Sequence, residues 1–76
     1  MAVIVYSTPT CPFCHQAKDY LSQKGVEFED VNVAEDQTRA EEMVKKSGQM
    51  GVPVLDINGE ILVGFQPVLI DQALEK

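Results

Sequence analysis

The first half of the chain places short apolar runs beside segments of helical periodicity. Residues 2–6 are apolar and largely β-branched, which predicts a strand buried on both faces that is ended by residues 7–10. From Pro12 onward, apolar side chains recur at helical spacing, which predicts an amphipathic helix that ends at Gly25. The predicted inner face of this helix comprises Phe13, Ala17, Tyr20 and Leu21. The loop between strand and helix delivers Cys11 to the helix start.

The middle of the chain predicts a second strand and a second helix. Residues 26–33 alternate imperfectly between polar and apolar side chains, as in a strand exposed on one face. The helix that follows is expected to begin at Asp36 or Thr38, whose side chains suit an N-cap, and to end at Gly48. Two lysines just before Gly48 complement the helix dipole there. The predicted inner face of this helix comprises Ala40, Met43 and Val44.

The last third predicts a hairpin and a closing helix. Residues 54–57 and 61–63 flank Asn58 and Gly59, a pair typical of a two-residue type I′ turn. A short helix is expected after residues 64–67, and its apolar face comprises Ile70, Ala73 and Leu74. A right-handed crossover makes the first two strands parallel, and the hairpin adds an antiparallel pair. The order β-α-β-α-β-β-α therefore predicts an α/β fold with a four-stranded mixed sheet flanked by helices.

Length and charge narrow the range of functions. A chain of 76 residues has room for one core, so we predict a single domain over residues 1–76. Twelve acidic residues face six basic ones, and this net charge of -6 argues against a nucleic-acid partner. No apolar run approaches the roughly 18 residues of a membrane span, and the first residues carry no basic leader. We therefore expect a cytoplasmic, monomeric protein.

The candidate chemistry lies in two cysteines, Cys11 and Cys14. They close too short a loop to stabilise a fold, so we expect the pair to be present for its reactivity. Their spacing places both sulfurs on one side of the helix start, where a disulfide can open and close. Cys11 faces the unpaired amides and positive dipole of that helix end, which favour its thiolate. Cys11 is therefore the predicted nucleophile, and Cys14, deeper in the helix, is expected to stay protonated and to resolve the mixed disulfide.

Other readings of the cysteine pair remain open from the sequence. Two inert buried thiols are one, and a zinc half-site or an iron-sulfur cluster shared by two chains is another, because one chain lacks four suitable ligands. With His15, the pair also matches the C-x-x-C-H haem attachment signature, for which Met43 or Met50 could supply a distal ligand. We interpret His15 as an exposed helical side chain and expect no metal site within the single chain.

The order of motifs resembles the glutaredoxins of the thioredoxin superfamily over nearly the whole chain. Tyr6 is followed five residues later by Cys-Pro-Phe-Cys, then by Val52-Pro53, the hairpin and a glycine turn into the last helix. The resemblance implies a thioredoxin-like fold, a cis bond before Pro53, and a Val52 backbone free to pair with an incoming peptide or glutathione. The substrate-binding residues it implies are Pro12, Phe13, Val52, Pro53, Gly64 and Phe65. From the sequence alone, Pro53 could instead simply start a strand, and Phe65 could be a core residue.

The resemblance also implies an activity, the reduction of protein disulfides or glutathione mixed disulfides without a tightly bound cofactor. Electrons would come from glutathione as co-substrate or from thioredoxin reductase. Thr8, Phe65 and Pro67 stand where glutathione-using members often carry Lys, Gly and Asp. Residues 64–67 look closer to the redoxins that serve ribonucleotide reductase. Lys18 could offer glutathione a distant positive charge or lie solvated on the helix.

Overall fold

Four strands and three helices follow one another in the predicted order in the computed structural model, which describes residues 2–75. The strands are β1 (Val3–Ser7), β2 (Glu29–Asn32), β3 (Val54–Ile57) and β4 (Glu60–Val63), and the helices are α1 (Pro12–Gln23), α2 (Gln37–Ser47) and α3 (Pro67–Glu75). Met1 and Lys76, the two ends of the predicted domain, lie outside the described residues. Within residues 2–75, no helix has the length and apolar content that a membrane crossing requires.

The strands form one mixed sheet in the order β2-β1-β3-β4. β1 runs parallel to β2 and antiparallel to β3, and β3 pairs antiparallel with β4. Tyr6 lies opposite Val31 on one side and Val54 on the other, so β1 is a central strand. The predicted α/β class and the four-stranded mixed sheet are confirmed.

Both faces of β1 are covered, as its apolar sequence predicts. Val3 and Val5 contribute to one core cluster, which also contains residues of α1 and α3. Tyr6 belongs to a second cluster, with Met43 of α2. Helices α1 and α3 therefore pack on one face of the sheet and α2 on the other. The strand itself is shifted by one residue from the predicted range 2–6, because Ser7 still pairs with β2.

The second strand is shorter than the sequence predicts. Only Glu29–Asn32 pairs with β1, whereas the prediction covered residues 26–33. The amide of Val26 donates instead to the carbonyl of Leu21 at the end of α1, so the chain there still belongs to the helix terminus. β2 lies at the sheet edge, and its length is therefore set by its only neighbour rather than by its own pattern.

The helix and hairpin boundaries follow the local signals closely. Asp36 is the N-cap of α2, and its Oδ1 accepts from the Arg39 amide at 3.1 Å. Gly48 ends the helix at φ 77°, a left-handed conformation that a residue without Cβ adopts easily. Asn58 and Gly59 also have positive φ angles of 53° and 94°, as the predicted type I′ turn requires.

Candidate active site

Cys11 occupies the N-cap of α1, directly ahead of Pro12 in the first helical turn. Its backbone is extended, with φ -94° and ψ 111°, so its side chain turns back over the helix start. Its Sγ accepts from the Cys14 amide at 3.3 Å. An N-cap acceptor satisfies an otherwise unpaired helix amide, and the positive end of the helix dipole adds to that interaction when the acceptor is charged. The backbone geometry therefore places the Cys11 sulfur against a backbone donor at the helix start.

Cys14 lies in the first turn of α1 with no exposed surface. Burial, followed by the hydrogen bond with Cys11, raises the pKa of Cys14 to about 11. A thiol in such a place stays protonated at neutral pH and is shielded from solutes. Both cysteines are free, and Cys11 is the more accessible of the two. The two thiols thus differ in exposure, as an attacking and a resolving thiol must.

Two further segments meet the start of α1 at Cys11. The peptide bond between Val52 and Pro53 is cis, as the resemblance implied. The Cys11 thiol donates to the Val52 carbonyl at 3.9 Å. The Pro53 carbonyl accepts from the Gly64 amide at 2.8 Å, which joins the turn after β4 to the same place. Cys11, Cys14, Val52, Pro53 and Gly64 are therefore brought together.

The Val52 amide is left without a hydrogen-bond partner in the part of the chain that the structure describes. Val52 is partly exposed beside the Cys11 sulfur, so a second chain can reach this amide. A backbone amide without a partner is a strong donor for an extended peptide. The arrangement can therefore orient a substrate backbone next to the nucleophile.

Two more of the predicted substrate-binding residues, Pro12 and Phe13, lie on the exposed side of the helix start. Phe13 is 58% exposed, so its assignment to the inner face of α1 is wrong. That face runs instead through Cys14, Ala17 and Leu21, because Phe13 lies on the outer side of the first turn. Pro12 is also exposed. Both residues are accessible beside Cys11.

Phe65 packs against the first core cluster as a partly buried residue. Its ring meets Tyr20 edge-to-face, with centroids 5.8 Å apart and an interplanar angle of 70°. Such pairs stabilise a fold beyond the area they bury. Phe65 therefore fixes the turn after β4 against α1, and its contact with substrate stays a prediction.

The sequence left the roles of two further side chains open: Met50 was a candidate haem ligand, and Lys18 was either a distant charge for glutathione or a solvated side chain. Met50 is 81% exposed in the loop that leads to Val52. Lys18 is not simply solvated, because its Nζ donates to Asp30 Oδ2 at 3.1 Å. That ion pair joins α1 to β2 and has no local sequence signature.

The described residues provide no cluster of ligands for the metal site that the sequence left open, and they bury one of the two candidate haem ligands. Within residues 2–75, no three His, Cys, Asp or Glu side chains lie close enough together to hold a metal ion. His15 is exposed, as predicted, and its Nε2 lies 2.9 Å from the Pro9 carbonyl oxygen. Met43, one of the two candidate haem ligands, is only 2% exposed inside the second core cluster. A shared zinc or iron-sulfur site would still need a second chain.

Comparison with known proteins yields a consistent set of matches. The sequence profile of the family described as Glutaredoxin matches residues 3–62. The glutaredoxin-like 8.6 kDa protein in the rubredoxin operon of Clostridium pasteurianum is 53% identical over 72 residues, which cover 95% of this chain and 96% of that protein. Glutaredoxin 3 of Escherichia coli K12 is 40% identical over 62 residues, covering 82% of this chain and 75% of the relative.

A solved structure extends the likeness to three dimensions. The glutaredoxin-like protein NrdH-redoxin from Escherichia coli superimposes with a TM-score of 0.85 at 28% sequence identity. The match covers 95% of this chain and 93% of that protein. NrdH-redoxin itself has a thioredoxin-like activity profile. The two proteins therefore share a thioredoxin-like fold over nearly their whole lengths.

Proposed function

The chain belongs to the glutaredoxin family, and we propose that it is a dithiol-disulfide oxidoreductase in which Cys11 attacks and Cys14 resolves. Membership of the family supports thiol-disulfide oxidoreductase activity in general. The assignment of the two roles rests on one observation. Cys11 caps α1 with its sulfur on the Cys14 amide, while Cys14 is fully buried one turn deeper.

The proposed reaction has two exchange steps. The Cys11 thiolate attacks one sulfur of the substrate disulfide, forming a mixed disulfide and releasing the other sulfur as a thiolate that takes a proton from water. The Cys14 thiolate, after losing its proton to water, then attacks Cys11, and the second substrate sulfur leaves with the electron pair. The substrate gains two electrons and the Cys11–Cys14 pair loses them. An external donor must return both electrons.

We assign the docking of the substrate to the surface around Cys11. The Val52 amide would donate to the substrate backbone, and the turn at Gly64, held by the Pro53 carbonyl, would form the opposite wall. Exposed Pro12 and Phe13 would contact the substrate from the helix side. We also propose that Gly64 and Phe65 contact the substrate in this groove.

The substrate class follows from the charge around the site. Residues 7–17, 47–55 and 61–70 contain no Asp, Glu, Lys or Arg, although the chain as a whole is 24% charged. These three segments meet at the cysteines through Cys11, Val52, Pro53 and Gly64. Among the described residues, all the exposed large hydrophobic side chains fall in these segments: Phe13, Met50, Val63, Val68 and Leu69. An uncharged, apolar surface suits a protein disulfide as substrate.

The electron donor is a separate question, because glutathione carries two carboxylates and an ammonium group. Thr8 and Pro67 supply no charge where glutathione-using relatives often carry Lys and Asp. A hydrogen bond to a charged group contributes about 1.5 to 3 kcal/mol, so losing one weakens glutathione binding about tenfold or more. We therefore propose glutathione as a co-substrate bound mainly through the backbone at Val52 and Gly64. No tightly bound cofactor is part of this proposal.

Thioredoxin reductase is the second candidate donor, with ribonucleotide reductase as the acceptor. The observation that favours it is the same uncharged face, together with the thioredoxin-like activity profile described for the similar NrdH-redoxin. A reductase presents a protein surface rather than a charged tripeptide. We further propose that the protein acts as a monomer in the cytoplasm, where free thiols persist.

A coupled assay of NADPH oxidation tests the activity and the donor together. A small disulfide is reduced once with glutathione and glutathione reductase, and once with thioredoxin reductase. Turnover with glutathione makes it the donor, and turnover only with thioredoxin reductase selects the second candidate. Absence of turnover with either donor would contradict the proposed activity.

A matched variant makes the comparison sharper. Thr8→Lys restores a charged partner at the position where glutathione-using relatives often have lysine. We expect this variant to raise glutathione-linked turnover about tenfold at limiting glutathione, while the rate with thioredoxin reductase stays close to that of the unmodified protein. Cys11→Ser serves as the inactive control in both assays.

A further inference from the structure

Lys18 lies one helical turn after the buried Cys14 in α1. The two residues are four positions apart in α1, so their side chains lie on the same face of the helix. The Lys18 side chain is only 20% exposed, and Cys14 has no exposed surface. The Lys18 side chain therefore lies along the protein surface rather than extended into solvent.

Two other elements fix the Lys18 ammonium in place. Its Nζ donates to Asp30 Oδ2 at 3.1 Å, and the Ser7 hydroxyl donates to Asp30 Oδ1 at 2.9 Å. Ser7 is 2% exposed at the end of β1, and Asp30 lies in the neighbouring strand β2. Because both carboxylate oxygens are bound, the carboxylate has a defined orientation toward Lys18. This network lies outside the groove at Val52 and Gly64.

Among the described residues, the titratable side chains that influence the Cys14 thiol include Cys11 and Lys18. Cys11 and Lys18 lie on the same helix, and Asp30 of β2 is joined through Lys18. Burial is the main cause that raises the pKa of Cys14, and the Lys18 charge acts in the opposite direction. Only the thiolate attacks a disulfide, and a pKa lower by one unit gives about ten times more thiolate at neutral pH.

We propose that Lys18, oriented by Asp30 and Ser7, is a positioning residue that favours the Cys14 thiolate in the resolving step. This inference rests on the proposed function, in which Cys14 attacks Cys11 of the mixed disulfide. In that step the Cys11–Cys14 bond forms, the bond from Cys11 to the substrate sulfur breaks, and the electron pair leaves on that sulfur. The proton of Cys14 goes to water, and Lys18 itself gives up no proton.

The test follows both exchange steps in one experiment. Reduced protein is mixed with excess Ellman's reagent, an aromatic disulfide, and the release of its coloured thiolate is recorded. Attack by Cys11 gives a phase whose rate rises with reagent concentration. Resolution by Cys14 gives a second phase that does not depend on concentration, because it occurs within one molecule.

We expect Lys18→Met to slow the second phase about threefold to tenfold at neutral pH, and to displace its pH profile toward higher pH. The variant keeps a long apolar chain but lacks the charge. Lys18→Arg retains the charge and should restore the rate. The matched control is Lys45→Met, which removes the same charge from α2.

The outcomes separate this inference from the function on which it rests. An unchanged profile for Lys18→Met, or equal slowing at every pH without displacement, would overturn the role of Lys18. A second phase that persists in Cys14→Ser would instead overturn the resolving role of Cys14. Urea unfolding of each variant shows whether a slowed phase reflects lost structure.

Discussion

The two thiols of the site are the same residue type three positions apart, yet their surroundings separate their roles. Cys11 lies at the helix cap, partly exposed and next to the Val52 carbonyl. Cys14 is enclosed by the core and donates its backbone amide to the Cys11 sulfur. One helical turn therefore separates a partly exposed thiol from a fully buried one. The two successive exchanges of the proposed reaction require such a difference.

The protected state of Cys14 can be measured directly. In Cys11→Ser, Cys14 is the only thiol, and burial is the main cause that raises its pKa, to about 11 in the unmodified protein. We expect the ultraviolet absorbance of its thiolate to rise with a midpoint well above the value of about 8.5 for a free cysteine. In concentrated denaturant the midpoint should return to that value. A folded-state midpoint at or below it would contradict the burial argument.

At this scale the sequence predicted the local placement of the two cysteines better than the contacts around them. The spacing of Cys11 and Cys14 and the helix start at Pro12 are local features, and both were read from the sequence alone. The contact from Lys18 to Asp30 joins residues twelve positions apart through packing of a helix on a strand, so no local pattern reveals it. Phe13 was misplaced because periodicity does not show which side of the first turn faces solvent.

The ends of the helices and strands are determined in two ways, either by residues close in sequence or by pairing with a neighbouring strand. The ends of α2 are set by side-chain and backbone chemistry within a few residues, at Asp36 and Gly48, and the sequence predicted both. The hairpin turn at residues 58–59 is equally local. The start of β2 depends instead on where β1 offers a partner, so an alternating pattern at residues 26–33 overstated its length.

The cap of α2 provides a test of this local chemistry. Asp36→Ala removes the acceptor for the Arg39 amide and leaves that donor unpaired, so we expect a loss of about 1 kcal/mol in the free energy of unfolding. Glu35→Ala is the matched control, because it removes a neighbouring exposed carboxylate that caps nothing. Urea unfolding measures both. Equal effects of the two substitutions would contradict the assignment of the cap.

On the scale of the whole molecule, the three segments that meet at the cysteines contain no charged residue, and a network of charged side chains joins α2 to the sheet. The Tyr6 hydroxyl donates to Glu42, and Lys46 Nζ donates both to that hydroxyl at 2.9 Å and to Asp56 at 2.7 Å. These contacts hold α2 against the face of the sheet opposite to α1. The topology was predictable from the order of elements, whereas this network depends on the packed tertiary structure.

The ion pairs also predict how stability depends on pH. The hydrogen bond from Tyr6, followed by the charges of Arg39 and Lys46, lowers the pKa of Glu42, and the Lys24 ammonium lowers the pKa of Asp71. Such groups stabilise the fold above their unfolded-state pKa values of about 3.9 to 4.3, and this contribution is lost as the pH falls through the lower folded-state values. We therefore expect stability to decline in acid.

Substitution at Glu42 measures its part in this decline. Glu42→Gln should be less stable than the unmodified protein at neutral pH, and the difference should shrink as the pH falls. Chemical unfolding across the acidic range provides the comparison, with Glu41→Gln as a control at an exposed neighbour. A difference that is constant with pH would show that the charge of Glu42 makes no contribution.

The division of labour between Cys11 and Cys14 is tested most directly by trapping the first intermediate. Mass spectrometry after reaction with a glutathionylated protein should show that Cys14→Ser accumulates one mixed disulfide, located at Cys11. The same experiment with Cys11→Ser should show no adduct and no turnover, because Cys14 is buried and protonated. If Cys11→Ser retained disulfide reduction near the unmodified rate, or formed its adduct at Cys14 as quickly, the account would be contradicted.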